Sequence, residues 1–167
     1  MAQEDIVTLI QKAVQTEWDG NRFYNRAAEV TKDLKGRKMF EQLASDELDH
    51  VTMIEKLYHD LVAAAPSERP KGFPIFAEKK KKSGGVIPEF EDEFEVLREA
   101  IGNEILARDF YRECIDKFDS ERAKAVFSQL VDMEEGHVRL LRAELDYLEQ
   151  SGFWFDHMEF NVEGERD

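Results

Sequence analysis

Six side chains able to coordinate a metal ion stand at matched intervals along the chain. Glu17, Glu47 and His50 lie in the first half, Glu104, Glu134 and His137 in the second, and each pair is 87 residues apart. Glu47 and His50 form one Glu-x-x-His unit and Glu134 and His137 another. On a helix, residues three apart share a face, so each unit offers a carboxylate and an imidazole to the same centre. One such unit is a weak signal, because acids and histidines at this spacing are common on solvated helices. Two units, each with a matched distal glutamate, are specific. Tyr24 and Tyr111 follow Glu17 and Glu104 at the same offset and are candidates either to hydrogen-bond the ligands or to fill the core.

These residues must be carried by helices. Apolar residues recur at alternating three- and four-residue steps in four segments, with no strand-like alternation. The spacing predicts helices over roughly 4–33, 36–64, 89–118 and 121–150. All six candidate ligands fall on the apolar stripes: Glu17 between Ala13 and Tyr24, Glu47 and His50 between Leu43 and Ile54, Glu104 between Ile101 and Ala107, Glu134 and His137 between Leu130 and Leu141. Residues 65–88 hold all four prolines, the Gly84-Gly85 pair and the Lys79–Lys82 run, and read as a connection long enough to cross a bundle. Pro88 and the acids after it suggest the start of the third helix. Ser120 is a suitable cap for the fourth, and Gly152 a terminator.

Laying residues 10–58 over 97–145 gives ten identities in 49 positions, among them Phe23/Phe110, Gln42/Gln129 and Leu43/Leu130. The chain is an internal duplication of about 4–64 and 89–150, each half a helical hairpin. Folding each hairpin brings its lone glutamate opposite its Glu-x-x-His. Residues 1–150 are thus expected to form an all-α four-helix bundle domain, with a long crossover between the second and third helices. Residues 151–167 form an aromatic extension whose Phe153-Trp154-Phe155 is too apolar for a free tail.

Four carboxylates on core positions need compensation, because removing an ionised carboxylate from water costs several kcal/mol even after relaxation. No lysine or arginine shares the seam. Two divalent cations carry four positive charges, which neutralises four glutamates while both histidines stay uncharged. Bundles that hold two irons or two manganese ions use this ligand pattern, one glutamate from each of two helices and Glu-x-x-His from the other two. Mixed carboxylate and imidazole ligands favour two iron ions, with manganese as the alternative and zinc able to substitute, over calcium or a thiolate-bound structural zinc. Asp46, beside Glu47, is a candidate to orient His137 across the bundle, although its counterpart is Met133. His59 and His157 have no partner at ligand spacing.

Composition excludes other classes. A formal charge of −14 argues against a nucleic-acid surface. The single cysteine, Cys114, excludes a disulfide framework and a cysteine-held metal within these residues, and fits a reducing, cytoplasmic setting. Met1–Ile10 lacks an export pattern and no apolar run is long enough for a membrane span.

Across roughly residues 4–150 the doubled motif resembles the ferritin-like superfamily, and most closely the rubrerythrin-like di-iron proteins. That resemblance implies Glu17 and His50 as terminal ligands of one iron, Glu104 and His137 of the other, and Glu47 and Glu134 as bridges. It also implies a ferritin-like left-handed four-helix bundle and an oxidoreductase that reduces hydrogen peroxide or dioxygen. Ferritin-type ferroxidase chemistry or a non-catalytic, metal-pinned bundle are the alternatives. Full-length rubrerythrins add a rubredoxin-like domain held by cysteines; with one cysteine here, electrons are expected from an external donor such as a rubredoxin. A homo-oligomer, a dimer in the first instance, is the expected assembly. The family also usually carries a further glutamate one turn after the third-helix ligand, where this chain has Ala107. Gly20 is its first-helix counterpart, and two small residues there suggest room for a diatomic ligand.

Overall fold

The computed structural model describes residues 3–63 and 92–155 as four helices, α1 (Gln3–Val30), α2 (Leu34–Ala63), α3 (Glu93–Lys117) and α4 (Glu121–Ser151). No strand occurs among the described residues. α1 packs along α2 and α3 along α4, and the two hairpins meet through α2 against α4 and α1 against α3. The result is an all-α four-helix bundle, as the periodicity predicts.

Two apolar clusters fill the interior. One gathers Tyr24, Phe40, Leu43, Leu97 and Leu141, the other Ile10, Leu57, Tyr111, Phe127 and Leu130. Along every helix the candidate ligands fall between a member of one cluster and a member of the other, so the acidic layer is sandwiched between two apolar layers. α1 and α4 run from the second cluster to the first, whereas α2 and α3 run from the first to the second. Two parallel helices consecutive in the chain need a connection that spans the bundle, which is the expected crossover. The residues of that connection, including the Lys79–Lys82 run and Pro88, lie outside the described residues.

Helix ends depart from the expected positions for local reasons. α1 stops at Val30, three residues early: Thr31 N–H and Oγ1 still close on Ala27 O (3.0 and 2.7 Å), but Thr31 O accepts from the Arg37 guanidinium (Nη2, 3.3 Å) and the chain reverses. α2 begins at Leu34, two residues early, because Asp33 Oδ1 accepts from the backbone N–H groups of Lys35 (2.8 Å) and Gly36 (3.3 Å). α3 begins at Glu93 rather than near 89. Asp92 is extended (φ −152°, ψ 171°) and caps the helix by accepting from Glu95 N at 2.8 Å. Acids at Glu93 and Glu95 complement the partial positive charge of that first turn. Ser120 Oγ accepts from Ala123 N at 3.3 Å, and Gly152 takes a left-handed φ of 76° while its N–H closes on Leu148 O, so both α4 boundaries stand as expected.

The described part of the C-terminal extension packs on the bundle itself. Trp154 is buried, meets Phe40 edge-on, and donates its indole N–H to Glu93 Oε2 at 3.2 Å. It lies flat on Gly36, where an added Cβ would come within 2.8 Å of the indole. One side chain thereby ties the end of α4 to the first turns of α2 and α3. Trp154→Ala is expected to cost about 3–5 kcal/mol in urea unfolding. Phe153→Ala is expected to stay within about 0.5 kcal/mol, because Phe153 is 72% exposed. Equal losses in the two variants would contradict that assignment.

Candidate metal centre

Each helix delivers its part of the acidic layer from mid-length: Glu17 from α1, Glu47 and His50 from α2, Glu104 from α3, Glu134 and His137 from α4. All six side chains are buried, none more than 4% exposed, and no lysine or arginine is buried among the described residues. They form two overlapping groups, Glu17, Glu47, His50 and Glu134 in one and Glu47, Glu104, Glu134 and His137 in the other. Within each group the potential ligand atoms lie within 4.8 Å of one another. Glu47 and Glu134 belong to both groups, the geometry required of bridging carboxylates.

Both imidazoles aim Nδ1 inward. His50 Nδ1 lies 3.1 Å from Glu17 Oε2, 3.1 Å from Glu47 Oε2 and 3.3 Å from Glu134 Oε1. His137 Nδ1 lies 3.2 Å from Glu134 Oε2 and 3.5 Å from Glu104 Oε1. The two rings stack with centroids 5.5 Å apart.

The tyrosines cross between hairpins. Tyr24 of α1 donates its hydroxyl to Glu104 Oε1 of α3, and Tyr111 of α3 donates to Glu17 Oε1 of α1. Of the two roles open for them in the sequence they fill both, each also belonging to one apolar cluster. Asp46 reaches His137 across the bundle, its Oδ2 3.2 Å from Nε2. Behind it stands Gln42, donating from Nε2 to Asp46 Oδ1 at 2.8 Å. Sequence reasoning passed over Gln42 in this role, although its identity with Gln129 in the duplication was a signal. It also passed over Glu144, fully buried on α4 and accepting from Phe155 N at 3.4 Å. Glu144 continues the stripe of His137 and Leu141, so the same spacing rule could have found it. His59 is exposed, with its ring against Tyr58, and Cys114 is a core residue whose thiol burial pushes up to about 11.

Electrostatics divide the metal-free cluster into two kinds of glutamate. Burial raises Glu134 to about 8, helped by the charges of Glu104 and Glu17. Burial and the charges of Glu134, Glu17 and Glu104 push Glu47 well above the ordinary range. Burial works to raise Glu104 as well, but the charge of His137, whose Nδ1 lies 3.5 Å away, outweighs it and holds the carboxyl near 2. Glu17 is lowered too, its burial overcome by His50. For His137 burial opposes the cation, yet the Glu104 charge and the Asp46 hydrogen bond carry the imidazole well above 6.5. Burial, then the neighbouring carboxylates, raise both tyrosines, so their hydroxyls stay protonated.

The family model for rubrerythrin matches residues 8–83 and 95–153. The chain belongs to the rubrerythrin family. Among solved structures, a hypothetical protein from Pyrococcus furiosus is similar, with 27% sequence identity and a TM-score of 0.66 over 85% of this chain and 89% of that one. No curated protein matches. Among the described residues no helix is long and apolar enough to cross a membrane.

For a chain of the rubrerythrin family the group to test against these residues is a pair of iron ions, and the residues fit it. Glu47 Oε2, both carboxylate oxygens of Glu134 and His137 Nδ1 are buried and make no hydrogen bond; close approaches such as the 3.2 Å between His137 Nδ1 and Glu134 Oε2 lack the required geometry. Orphaned acceptors at the centre of a bundle are costly unless a cation takes them up. Nitrogen and oxygen donors of this kind suit iron and also manganese or zinc.

A groove of about 630 Å³ between α1 and α3 leads to this cluster, its lining including Glu17, Glu47, Glu104, Glu134 and Tyr24. Gly20 and Ala107 flank it from the two hairpins. The two small residues expected to leave room beside the cluster thus both line this groove. A Cβ on Gly20 would stand 2.9 Å from Glu47 Oε1, so the missing side chain also lets that carboxylate lie close against α1.

Proposed function

We propose that the chain is a di-iron oxidoreductase that reduces hydrogen peroxide or dioxygen with electrons from an external donor such as a rubredoxin. The observation that carries this reading is the buried layer of four glutamates and two histidines in two overlapping groups, reached from solvent by a groove. Glu17 and His50 would hold one iron, Glu104 and His137 the other, and Glu47 and Glu134 both. Bound as ferrous ions, the pair supplies the two electrons that, with two protons, convert one hydrogen peroxide into two waters.

The chain's own residues do the rest. The apolar layers above and below the cluster keep bulk water from the ligands. Glu47 and Glu134, the carboxylates most disfavoured as anions, gain most from a nearby cation. Tyr24 and Tyr111 keep their protons at Glu104 Oε1 and Glu17 Oε1, within the lining of the cluster, where they can be passed to a reduced oxygen species. A homodimer in a reducing cytoplasm is the setting proposed, consistent with the single cysteine in these residues.

The test is a peroxide titration of anaerobically loaded, fully ferrous protein, followed optically. Oxidation within seconds, complete at one peroxide per two irons, is expected. Iron-loaded protein inert to both peroxide and dioxygen contradicts the proposal. A second reading, ferroxidase and iron handling, is favoured by the groove walls, where Asp19, Glu99, Asp109 and Glu113 outnumber Lys12 and Arg22 and would attract a divalent cation. Sustained oxidation of ferrous ion far beyond two per chain would select it.

A further inference from the structure

Two rows of aromatic rings lead away from the cluster, and they end differently. In the first, Tyr24 donates its hydroxyl to Glu104 Oε1, its ring stacks on Phe40 with centroids 6.1 Å apart, and Phe40 meets Trp154 edge-on at 5.9 Å. The indole N–H of Trp154 in turn donates to Glu93 Oε2 at 3.2 Å. In the second, the duplicates repeat the start: Tyr111 donates to Glu17 Oε1 and packs on Phe127 at 5.9 Å. That row ends on Phe118, 5.1 Å from Phe127 and buried. A benzene ring has no N–H or O–H proton to release and gives up an electron far less readily than an indole. Of the two rows, the first alone joins a ligand carboxylate, through rings in contact, to an oxidisable side chain that faces a proton acceptor.

We propose that Trp154 is a redox-active residue that supplies an electron to the metal centre through Phe40 and Tyr24, with Glu93 as the acceptor of its proton. The inference rests on the peroxide-reducing reading given under Proposed function. Conversion of hydrogen peroxide to two waters takes two electrons and two protons, so a centre with only one iron still ferrous is one electron short. Given a single electron, peroxide splits into hydroxide and a hydroxyl radical instead. Trp154 gives the missing electron along the row of rings, and its indole cation releases the Nε1 proton to Glu93 Oε2, leaving a neutral indole radical. The two protons for peroxide come from solvent by way of the groove. The external donor later returns one electron to the indole, and Glu93 returns the proton.

The experiment starts from full-length protein loaded anaerobically with ferrous iron and brought by ferricyanide to one oxidising equivalent per chain. Hydrogen peroxide is then added without a donor. Freeze-quenched samples are expected to show the electron paramagnetic resonance signal of a neutral indole radical, narrowed when the tryptophans are ring-deuterated, and peptide mass spectra are expected to place oxidation on Trp154. Trp18 is the internal control: it follows the ligand Glu17 in the chain and is less buried than Trp154, so a radical escaping by diffusion would mark it rather than Trp154. Trp154→Phe is expected to lose the signal and to gain oxidation at Trp18, while its fully ferrous form consumes peroxide as wild type does. Phe40→Leu interrupts the row and is expected to lose the signal with Trp154 still in place. If that variant does not fold, Glu93→Gln, at a half-exposed position, removes the proton acceptor and is expected to lower the yield of the neutral radical. Oxidation of Trp18 as heavy as that of Trp154, a signal untouched by these substitutions, or no signal overturns the role of Trp154 where the ferrous centre still reacts. Fully ferrous protein inert to peroxide overturns the reading under Proposed function, and this inference with it.

Discussion

Metal-free protein is expected to lose stability as the pH rises from about 5 to about 8, and two equivalents of a divalent metal are expected to remove that dependence. In the folded, metal-free chain Glu134 keeps its proton up to about 8 and Glu47 is shifted the same way, whereas unfolded carboxylates ionise at the ordinary value of 4.5. His137 likewise keeps its proton well above the 6.5 of an unfolded imidazole. Over this window the native state binds more protons than the unfolded state, so each rise in pH favours unfolding. The stabilisation is fully present below the unfolded values and is lost as the pH passes through the folded ones. Glu104 and Glu17 are shifted downward and act only at lower pH, where their contribution is lost as the pH falls, towards about 2 for Glu104. At about 1.4 kcal/mol per pKa unit, the loss over the window amounts to several kcal/mol, comparable with the total stability of a small domain. Metal ions displace these protons, so the loaded protein keeps its stability to pH 8. Urea midpoints measured from pH 5 to 8, with and without metal, check both halves. A metal-free profile that is flat or rises with pH contradicts the account.

The second large effect separates folding from binding. Glu134→Gln replaces a carboxyl that keeps its proton up to about 8 in the metal-free protein, and Glu47→Gln one shifted in the same direction, each with a neutral amide of the same shape. Each variant is expected to match or exceed wild-type stability without metal, and to show a shallower pH dependence. Each is also expected to lose the second metal equivalent outright. Loss of a bridge exceeds the 10- to 100-fold penalty of about 1–3 kcal/mol that removing a supporting hydrogen bond produces, and peroxide reactivity goes with it. Calorimetric metal titration beside thermal unfolding makes the comparison. A variant that binds two equivalents normally would contradict the bridging role, and one that unfolds without metal would show that the carboxylate, rather than its shape, holds the bundle.

Much of the fold was legible because two periodicities coincide. The 3.6-residue apolar stripe located four helices, and the 87-residue offset located two hairpins. Charged residues on an apolar stripe contradict burial, and that contradiction identified all six members of the cluster before their geometry was known. Helix ends were read less well because they depend on single side-chain bonds: Asp33 and Asp92 are each one of many acids in a chain with 37 of them, and only their backbone contacts distinguish them as caps. At Gly20, spacing places a missing side chain on the seam but cannot say which neighbour comes closest, and that neighbour is Glu47. The Gln42–Asp46–His137 chain crosses from one hairpin to the other, and its length depends on how the hairpins dock. Trp154 closing on Gly36 depends likewise on the path of the chain after Gly152.

The most direct measurement is an anaerobic titration of metal-free protein with ferrous ion at pH 7, recording bound iron and released protons together. Saturation is expected at two irons per chain, with release of the proton that Glu134 keeps up to about 8 and of any held by Glu47 and His137, whose shifts run in the same direction. Saturation at two irons is expected to be lost in Glu47→Gln and Glu134→Gln. Failure to bind iron, or binding without proton release and untouched by either substitution, would mean that the buried carboxylates are not the ligands.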